Sequence, residues 1–328
     1  MLGYILRRIG IMIPTLFAIS IISFIVIQLP PGDYLTSYAA SLRSQGDNVQ
    51  DDVINALRDR YGLGQPVYVQ YGKWVWGILS RGDWGQSMEF NQPVKDLIWE
   101  RMGLTMVLSL MTLMVSWFIA IPLGVYSATH QYSIPDYIVT TISFIGVGTP
   151  GFLLALLIMW AAMNYLGFNV GGLFSQNFVL APWSWDKVVD MLKHIWIPIV
   201  VLALNGTAAG LRTTRANLLD ELNKPYVETA RSKGITEAKV IWKYPVRVAL
   251  NPFFSTVGWE LANLVSGSQL VSIVLSLETT GPLLLRSLTS QDMYLAGAFL
   301  FLLSALTVIG TLVSDIVLAW VDPRIRMT

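Results

Sequence analysis

Long apolar stretches alternate with shorter polar segments along most of this chain. A membrane-spanning helix needs about 20 mostly apolar residues to cross about 30 Å of hydrocarbon. Six stretches come close to this length or exceed it: 9–29, 106–126, 138–166, 195–211, 248–277 and 294–320. The fourth is short, whereas the third, fifth and sixth are long enough to tilt, bend or extend beyond the bilayer. The pattern predicts an all-α membrane protein with six transmembrane helices.

Glycines in the predicted spans indicate where helices bend or pack closely. Gly206 and Gly210 form a small-xxx-small pair in the fourth span, which allows a neighbouring helix to approach. Gly146, Gly148, Pro150 and Gly151 follow one another in the third span and can kink it. Single glycines in spans also serve ordinary tight packing, and neither interpretation changes the predicted function.

Basic residues lie mainly on one side of these spans. Arg7 and Arg8 precede the first span, and two arginines follow the sixth. Eight more basic residues lie in the segment 212–247, whereas the loops 167–194 and 278–293 hold three between them. By the positive-inside rule, both termini and the 212–247 segment are cytoplasmic. The long segment after the first span then lies outside.

This layout divides the chain into three parts. Residues 1–29 form the cytoplasmic N-terminus and the first transmembrane helix, which we expect to stay as an anchor rather than be cleaved. Residues 30–105 form a small external cap. Residues 106–328 form a core of five transmembrane helices, with a polar elbow at 223–245 between the fourth and fifth spans.

Two helices are predicted in the external cap. Asp47 and Asn48 can cap the first, and Asn91 can cap the second, with Pro93 in its first turn. Between them the sequence PVYVQYGKWVWGILS is rich in aromatic and β-branched residues. The cap is too short to be an independent enzyme domain.

A polar stretch, PYVETARSKGITEAKVIWKYP, interrupts the apolar pattern between the fourth and fifth spans. Pro225 suits a first helical turn, and Gly234 suits the position just beyond a helix end. We predict a helix over 226–233, a turn at Gly234 and a second helix from about Thr236. The stretch is either a solvated loop or, as we favour, a docking element for a cytoplasmic partner. The docking residues would be Val227, Ala230 and Ile235 for apolar contact and Glu228, Arg231 and Lys233 for register.

Composition excludes several classes of function. The chain is 54% hydrophobic and 13% charged, and its net charge of +1 indicates no nucleic-acid partner. It has no cysteine and two histidines, so we expect no metal site and no cofactor. No G-x-x-x-x-G-K-[ST] segment is present to hold ATP phosphates. An energy-coupled function would therefore need a separate ATPase partner.

Motifs along nearly the whole chain resemble the membrane permeases of ATP-binding-cassette importers, in the oligopeptide/dipeptide/nickel branch. The cytoplasmic motif of that family is Glu-Ala-Ala, three residues and then Gly, and it stands here as Glu228-Thr229-Ala230 and Gly234. The opening 13–16 and 29–33, the stretch 81–85, and the ending at Asp315 and 322–324 are also similar to that branch. This chain often differs at single positions, for example with Tyr244 where the family often has His.

The resemblance implies a transport subunit rather than an enzyme, in the plasma (inner) membrane of a prokaryote. It implies a second homologous permease, two ATP-binding-cassette ATPase subunits, an external substrate-binding protein and surrounding membrane lipid as partners. The polar elbow would be the coupling helix that docks on an ATPase. Its coupling residues would be Tyr226, Val227, Glu228, Thr229, Ala230, Arg231, Lys233 and Gly234.

Four residues are candidates for the solute pathway. Glu260 lies well inside the fifth span and either lines the pathway or bonds to a neighbouring helix or the partner permease. Trp183 and Trp185 belong either to an interfacial aromatic belt or to a stacking surface for sugar rings. Glu278 opens an outer loop, Glu-Thr-Thr-Gly-Pro, that departs from the pattern common in the family. Oligopeptides and oligosaccharides of similar size therefore both stay open as solutes.

Three other classes of protein compete with the importer permease. An ion-gradient-driven secondary transporter is opposed by the few carboxylates in the spans and by the lack of a visible inverted repeat. A membrane-embedded enzyme would need an acid/base or metal constellation, and two isolated histidines do not supply one. An assembly factor without a transport role would leave the cap and the glycine-rich spans unexplained.

Overall fold

A computed structural model of the protein describes residues 2–28, 35, 64–167, 171–179 and 181–321. This part of the chain is almost entirely helical. Its helices, in chain order, are α1 Leu2–Gln28, α2 Val67–Arg81, α3 Val94–Thr129, α4 Ile134–Gly148, α5 Gly151–Ala161, a π-helix Ala162–Leu166, α6 Gln176–Val179, α7 Trp185–Leu222, α8 Pro225–Ser232, α9 Glu237–Lys243, α10 Pro245–Ala249, α11 Asn251–Val274, α12 Thr280–Thr289 and α13 Met293–Val321.

Four described helices are long and apolar enough to cross a membrane: α1, α3, α7 and α13. The consecutive helices α4 and α5 make a fifth span if the bent pair crosses the membrane as one unit. The structure thus supports a multi-pass, all-helical membrane protein with four or five of the six predicted spans. The predicted fifth span corresponds to α11, which has 24 residues but carries Glu260 and Asn263 among its apolar side chains.

The predicted kink in the third span is confirmed, and it is sharper than an ordinary proline kink. Helices α4 and α5 are bent by 106° at the break between Gly148 and Gly151. Thr149 is extended (φ −96°, ψ 122°) because the ring of Pro150 disfavours helical geometry in the residue before it. The Thr149 N–H still donates to the carbonyl of Ile145 at 3.0 Å, so α4 ends in a satisfied turn.

The second helix predicted in the cap is the start of a much longer one. Helix α3 begins at Val94, inside the segment assigned to the cap, and runs for 36 residues. Asn91 does not cap it: its φ is +49°, and the chain around it turns so that the Val94 N–H donates to the carbonyl of Gly85 at 3.0 Å. The helix predicted near Asp47 and Asn48 lies outside the described residues.

Contacts divide the chain into two compact units. One comprises Met1–Ile5, Met106–Glu278 and Ile309–Thr328, and the other comprises Leu6–Thr105 and Thr279–Val308. Each is therefore built from segments that are distant in the sequence.

The second unit has an aromatic centre and a buried carboxylate. Trp74 of α2 is buried, with its ring 5.7 Å from that of Phe24 and 6.2 Å from that of Phe301. Asp292 is fully buried and accepts hydrogen bonds from the Ser87 hydroxyl at 2.5 Å and the Glu89 N–H at 3.1 Å. Burial raises the pKa of Asp292, although these hydrogen bonds act in the opposite direction. The carboxylate thereby ties the turn before α3 to the start of α13.

Glycines permit close helix contacts in the first unit. A Cβ added at Gly258 of α11 would lie 1.6 Å from the carbonyl oxygen of Gly310 of α13, so these two backbones touch. The Gly258 N–H also donates to the Ser314 hydroxyl at 2.7 Å. The predicted pair in the fourth span packs similarly, because a Cβ at Gly206 would lie 3.0 Å from Ser116 and one at Gly210 3.1 Å from Ala120.

Candidate coupling and pathway sites

The polar elbow consists of the short helices α8 and α9 joined by a left-handed turn. Pro225 occupies the first turn of α8, where its missing N–H removes no helical hydrogen bond. Gly234 has φ +71°, a conformation that glycine adopts without strain. Its N–H donates to the carbonyl of Arg231 at 2.9 Å, and α9 then begins after Thr236. The predicted helix–Gly–helix structure is therefore present, and Pro225 and Gly234 account for its start and its turn.

An internal apolar cluster holds the two helices of the elbow together. Val227 and Ala230 of α8 pack on Val240 of α9, and Val227 and Val240 are fully buried. Ile235 and Tyr244 are partly buried against the same cluster. Val227 and Ala230, which the sequence predicts as apolar contacts for a partner, are buried within this chain.

A bidentate ion pair spans the Gly234 turn. The Arg231 guanidinium donates to the Glu237 carboxylate, with Nη2 to Oε1 at 2.7 Å and Nε to Oε1 at 3.2 Å. These hydrogen bonds raise the pKa of Arg231 and lower the pKa of Glu237. Both side chains are about half exposed, so the pair contributes less than about 1 kcal/mol to stability. It orients the turn more than it stabilises it.

The start of the elbow is anchored to the end of α7. The carboxylate of Glu221 accepts from Lys224 Nζ and from the Tyr226 hydroxyl, each at 2.5 Å. Burial and the hydrogen bond to Glu221 raise the pKa of Tyr226, so its hydroxyl keeps its proton and donates at neutral pH. Tyr226 therefore acts within this chain as a link between α7 and α8.

The end of the elbow is joined to the bundle by an apolar cluster. Val246 and Ala249 of α10 are buried against Leu218 of α7 and against Val125 and Ala128 of α3. These are the last turns of α3 and α7. Ile241 of α9 is partly buried against the same cluster, so the elbow also contacts these last turns.

An ion pair that the sequence did not reveal lies close to this junction. Arg215 of α7 donates to Asp136 of α4 through Nη2 at 3.0 Å and Nε at 3.1 Å. Asp136 also accepts from the Ser127 hydroxyl and from the Tyr132 N–H, and its side chain is 4% exposed. The two residues are 79 positions apart. The one hint of this pair in the sequence is that Asp136 lies in the loop 127–137, which has no Lys or Arg to pair with it.

Glu260 lines two cavities in the first unit. One has a volume of about 180 Å³ between α3, α7 and α11, and the other has about 520 Å³ between α5, α7 and α11. Gly206 lines both cavities, and the amides of Asn205 and Asn263 line the larger one. The Glu260 side chain is partly buried. A cavity with a carboxylate and two amides can bind an amine or hydroxyl group.

Two of the three predicted outer residues, Glu278 and Trp183, lie at one loop. The Leu173 N–H donates to the Glu278 carboxylate at 2.7 Å, and the Phe174 ring lies 6.0 Å from that of Trp183. Lys187 is buried beneath these two rings, with Nζ 4.8 Å from the centre of the Phe174 ring. The structure thus places Glu278 and Trp183 beside the same loop, 172–175, although they are far apart in the sequence.

The predicted sites therefore form three separate groups. The elbow residues are adjacent to one another, Glu260 lies at its two cavities, and Glu278 and Trp183 lie at the loop 172–175. Trp185 is 80% exposed and Trp183 is 61% exposed, and Lys187 Nζ lies 5.3 Å from the centre of the Trp183 ring, over one of its faces. Among the described residues, no group of three or more His, Cys, Asp or Glu side chains could hold a metal ion.

Comparison with a solved structure supports the fold. One chain of the MetNI methionine ABC transporter, solved in inward-facing conformations, has a similar structure. The match covers 69% of the present chain and 96% of the MetNI chain. The TM-score is 0.52 at 18% sequence identity. This similarity shows the fold alone.

Curated relatives match over almost their whole length. The oligopeptide transport system permease protein AppB of Bacillus subtilis is 36% identical, over 99% of this chain and 100% of the relative. The peptidoglycan transport system permease protein YejB of Agrobacterium fabrum is 31% identical, over 98% of each chain. The dipeptide transport system permease protein DppB of Alkalihalophilus pseudofirmus is 28% identical, over 99% of this chain and 100% of the relative.

Two family models together cover nearly all of the sequence. The model for the binding-protein-dependent transport system inner membrane component matches residues 120–327, and the model for the N-terminal part of such membrane components matches residues 1–110. A multi-pass inner-membrane protein is thereby supported, and the ion-gradient-driven alternative is not favoured. The chain belongs to this family: it is a permease subunit of an ATP-driven importer, and ATP hydrolysis takes place in separate subunits.

Proposed function

We propose that this chain and a second homologous permease form the membrane pathway for oligopeptides delivered by an external binding protein. The names of the oligopeptide and dipeptide permeases to which it is similar support this class of solute. The observation that carries the mechanism is the elbow, a compact polar structure attached to the ends of α3 and α7. Two ATPase subunits would supply the driving motion, one of them through this elbow.

The proposed docking face is the exposed side of the elbow. Glu228, Thr229 and Lys233 are exposed there, and Trp242 is 53% exposed on α9. Tyr226, Val227 and Ala230, together with Arg231 and Gly234, serve docking indirectly by fixing the conformation that presents this face. The exposed Trp242 supports this assignment, because aromatic residues are enriched in protein interfaces.

We also propose six spans, with both termini in the cytoplasm and the segment 30–105 as an external cap. Helix α11 has 24 residues and therefore measures about 36 Å, enough to cross the hydrocarbon. Its polar residues face the cavities at Glu260, so its low apolar character fits a helix that lines a pathway. With α4 and α5 as one span, the number of spans is even and both termini lie on one side, as the basic residues indicate.

Glu260 is proposed to bind the positively charged amino terminus of a peptide. It is a carboxylate at a cavity in the spans, and an unpaired carboxylate there is costly unless a ligand or partner meets it. Peptides with a free amino group should therefore compete better for transport than acetylated ones.

A reconstituted complex of both permeases, the ATPases and the binding protein tests this proposal. In proteoliposomes, oligopeptide uptake should require ATP and not an ion gradient. Glu260→Gln should reduce uptake of free-amine peptides roughly tenfold, as expected for loss of one charged contact, and leave uptake of acetylated peptides unchanged. Asp220→Asn, which removes an exposed carboxylate away from the cavities, is the control. Equal loss for both peptide types would refute the assigned role of Glu260.

A solute that carries sugar rings is a second candidate. The exposed faces of Trp183 and Trp185 favour it, as does the name of the peptidoglycan transport relative. Alanine at both positions should then reduce transport of a sugar-bearing peptide while the protein stays in the membrane. Unchanged transport in that double variant would leave the unmodified oligopeptide as the solute.

A further inference from the structure

An apolar groove of about 230 Å³ lies between α3, α4 and α7 in the first unit, apart from the two cavities at Glu260. Ile119 and Leu123 of α3, Ile142 of α4 and Val200 of α7 line it, and each of these four side chains is 37% to 57% exposed. Large apolar side chains exposed on spanning helices are covered by lipid tails or by another helix. The groove is thus a surface that something apolar fills in the membrane.

The length of the groove matches one leaflet of a bilayer. Its wall on α7 runs from Val200 to Leu211, eleven helical steps that measure about 16 Å. Half of a hydrocarbon core of about 30 Å is about 15 Å. An acyl chain lying along α7 would therefore extend from near the middle of the bilayer to its surface.

A basic residue lies where the headgroup of such a lipid would be. Arg212 directly follows Leu211, and its guanidinium lies over the ring of Phe144 of α4, 5.7 Å from the ring centre. Its Nε is buried and has no hydrogen-bond partner in the described part of the chain. The nearby carboxylate of Asp136 is bonded to Arg215 instead. The Arg212 side chain as a whole is only partly buried, so an anionic group can reach its accessible part.

We propose that this groove binds a phospholipid of the cytoplasmic leaflet, with one acyl chain along α7 and the phosphate on Arg212. A guanidinium matches a phosphate in charge and geometry, and the charge pattern places this end of α7 on the cytoplasmic side. Phe144 holds the guanidinium beside the groove. The lipid is then a bound component that fills the space between α3, α4 and α7.

Photo-cross-linking in the intact importer tests the site. The complete complex is reconstituted in nanodiscs that contain phosphatidylglycerol with a diazirine on its acyl chain, and the labelled peptides are mapped by mass spectrometry. We expect labelling within 200–211 of α7. Arg212→Gln should reduce this labelling roughly tenfold because it removes a charged hydrogen-bond donor, whereas Arg212→Lys should retain most of it. Thr207→Phe, which fills the groove, should also reduce it.

Two matched controls separate this site from general effects. Arg247→Gln removes an exposed positive charge from the elbow side, and Met114→Phe adds an aromatic ring at a position 69% exposed outside the groove. Neither should change the labelling. Equal labelling in Arg212→Gln and in Arg247→Gln would overturn the proposal. The proposal would also be overturned if the partner permease occupied the groove. A cysteine placed at Ile142 would then cross-link to that permease, and it would be the one cysteine in this chain, whose sequence has none.

Discussion

Replacing Gly234 tests whether the proposed coupling depends on the conformation of the elbow. Gly234 has φ +71°, and a Cβ added there would meet no atom within 4 Å. A side chain at this position therefore has no steric cost against its neighbours and only the intrinsic cost of left-handed backbone. That cost is about 1–2 kcal/mol for an ordinary residue, smaller for asparagine and larger for a β-branched residue. Replacing Gly234 by asparagine, alanine or valine therefore raises the backbone cost stepwise while the neighbouring contacts stay the same.

This cost exceeds what the exposed ion pair across the turn contributes. The Arg231–Glu237 pair contributes less than about 1 kcal/mol, and the buried contacts of Val227 and Ala230 with Val240 supply the rest. A cost of about 1.4 kcal/mol shifts the equilibrium between ordered and disordered elbow tenfold. We expect coupling to be nearly unchanged in Gly234→Asn, reduced in Gly234→Ala and reduced most in Gly234→Val.

The assay is solute transported per ATP hydrolysed by the reconstituted importer, together with amide hydrogen exchange over 226–243. Both should follow the order Asn, Ala, Val, and the permease should stay in the membrane in every variant. Normal coupling in Gly234→Val would refute the docking role of the elbow. Equal loss in Gly234→Asn and Gly234→Val would refute the conformational explanation.

Three further predictions concern packing and charge. Gly258→Ala should prevent stable assembly, because the new Cβ would overlap the backbone carbonyl of Gly310. Gly267→Ala is the control, because a Cβ at Gly267 would meet open space and should be tolerated. The yield of the purified complex measures both effects. Asp136→Asn should destabilise the complex by about 3–5 kcal/mol because it leaves the partly buried Arg215 without its carboxylate partner. The melting temperature of the purified complex should fall clearly in this variant and hardly at all when an exposed aspartate is replaced by asparagine. Because Arg231 lowers the pKa of Glu237, their pair stabilises the turn above the ordinary glutamate pKa of about 4.3 and is lost as pH falls through the lowered value; amide exchange over 232–237 should accelerate in that range.

Local backbone chemistry explains what could be predicted from the sequence. Pro225 and Gly234 determine where α8 starts and where the elbow turns, because each restricts or permits a specific backbone conformation. Pro150, with Gly148 two residues before it and Gly151 directly after it, likewise determines where the third span breaks. Each of these features depends on residues within a few positions of one another, so it can be predicted from one sequence without knowledge of the tertiary contacts.

Contacts between distant segments explain what could not be predicted. The bond of Arg231 to Glu237 and the burial of Val227 against Val240 depend on how α8 and α9 fold onto each other. The pairing of Arg215 with Asp136 depends on how α4 packs on α7. The start of α3 at Val94 was assigned to the cap because the apolar pattern becomes continuous only from about residue 106, although the helical backbone begins earlier.

The attachment of the elbow suggests how motion would reach the pathway. Glu221 holds Lys224 and Tyr226 at one end of the elbow, and the cluster around Leu218 holds α10 at the other, so the elbow and the end of α7 would move together. The same helix passes Gly206 at the cavities of Glu260. Pro198 lies in α7 beyond this point, where its missing N–H leaves one helical hydrogen bond unmade and favours a bend. A push on the proposed docking face would therefore displace the part of α7 that lines the cavities relative to its outer end.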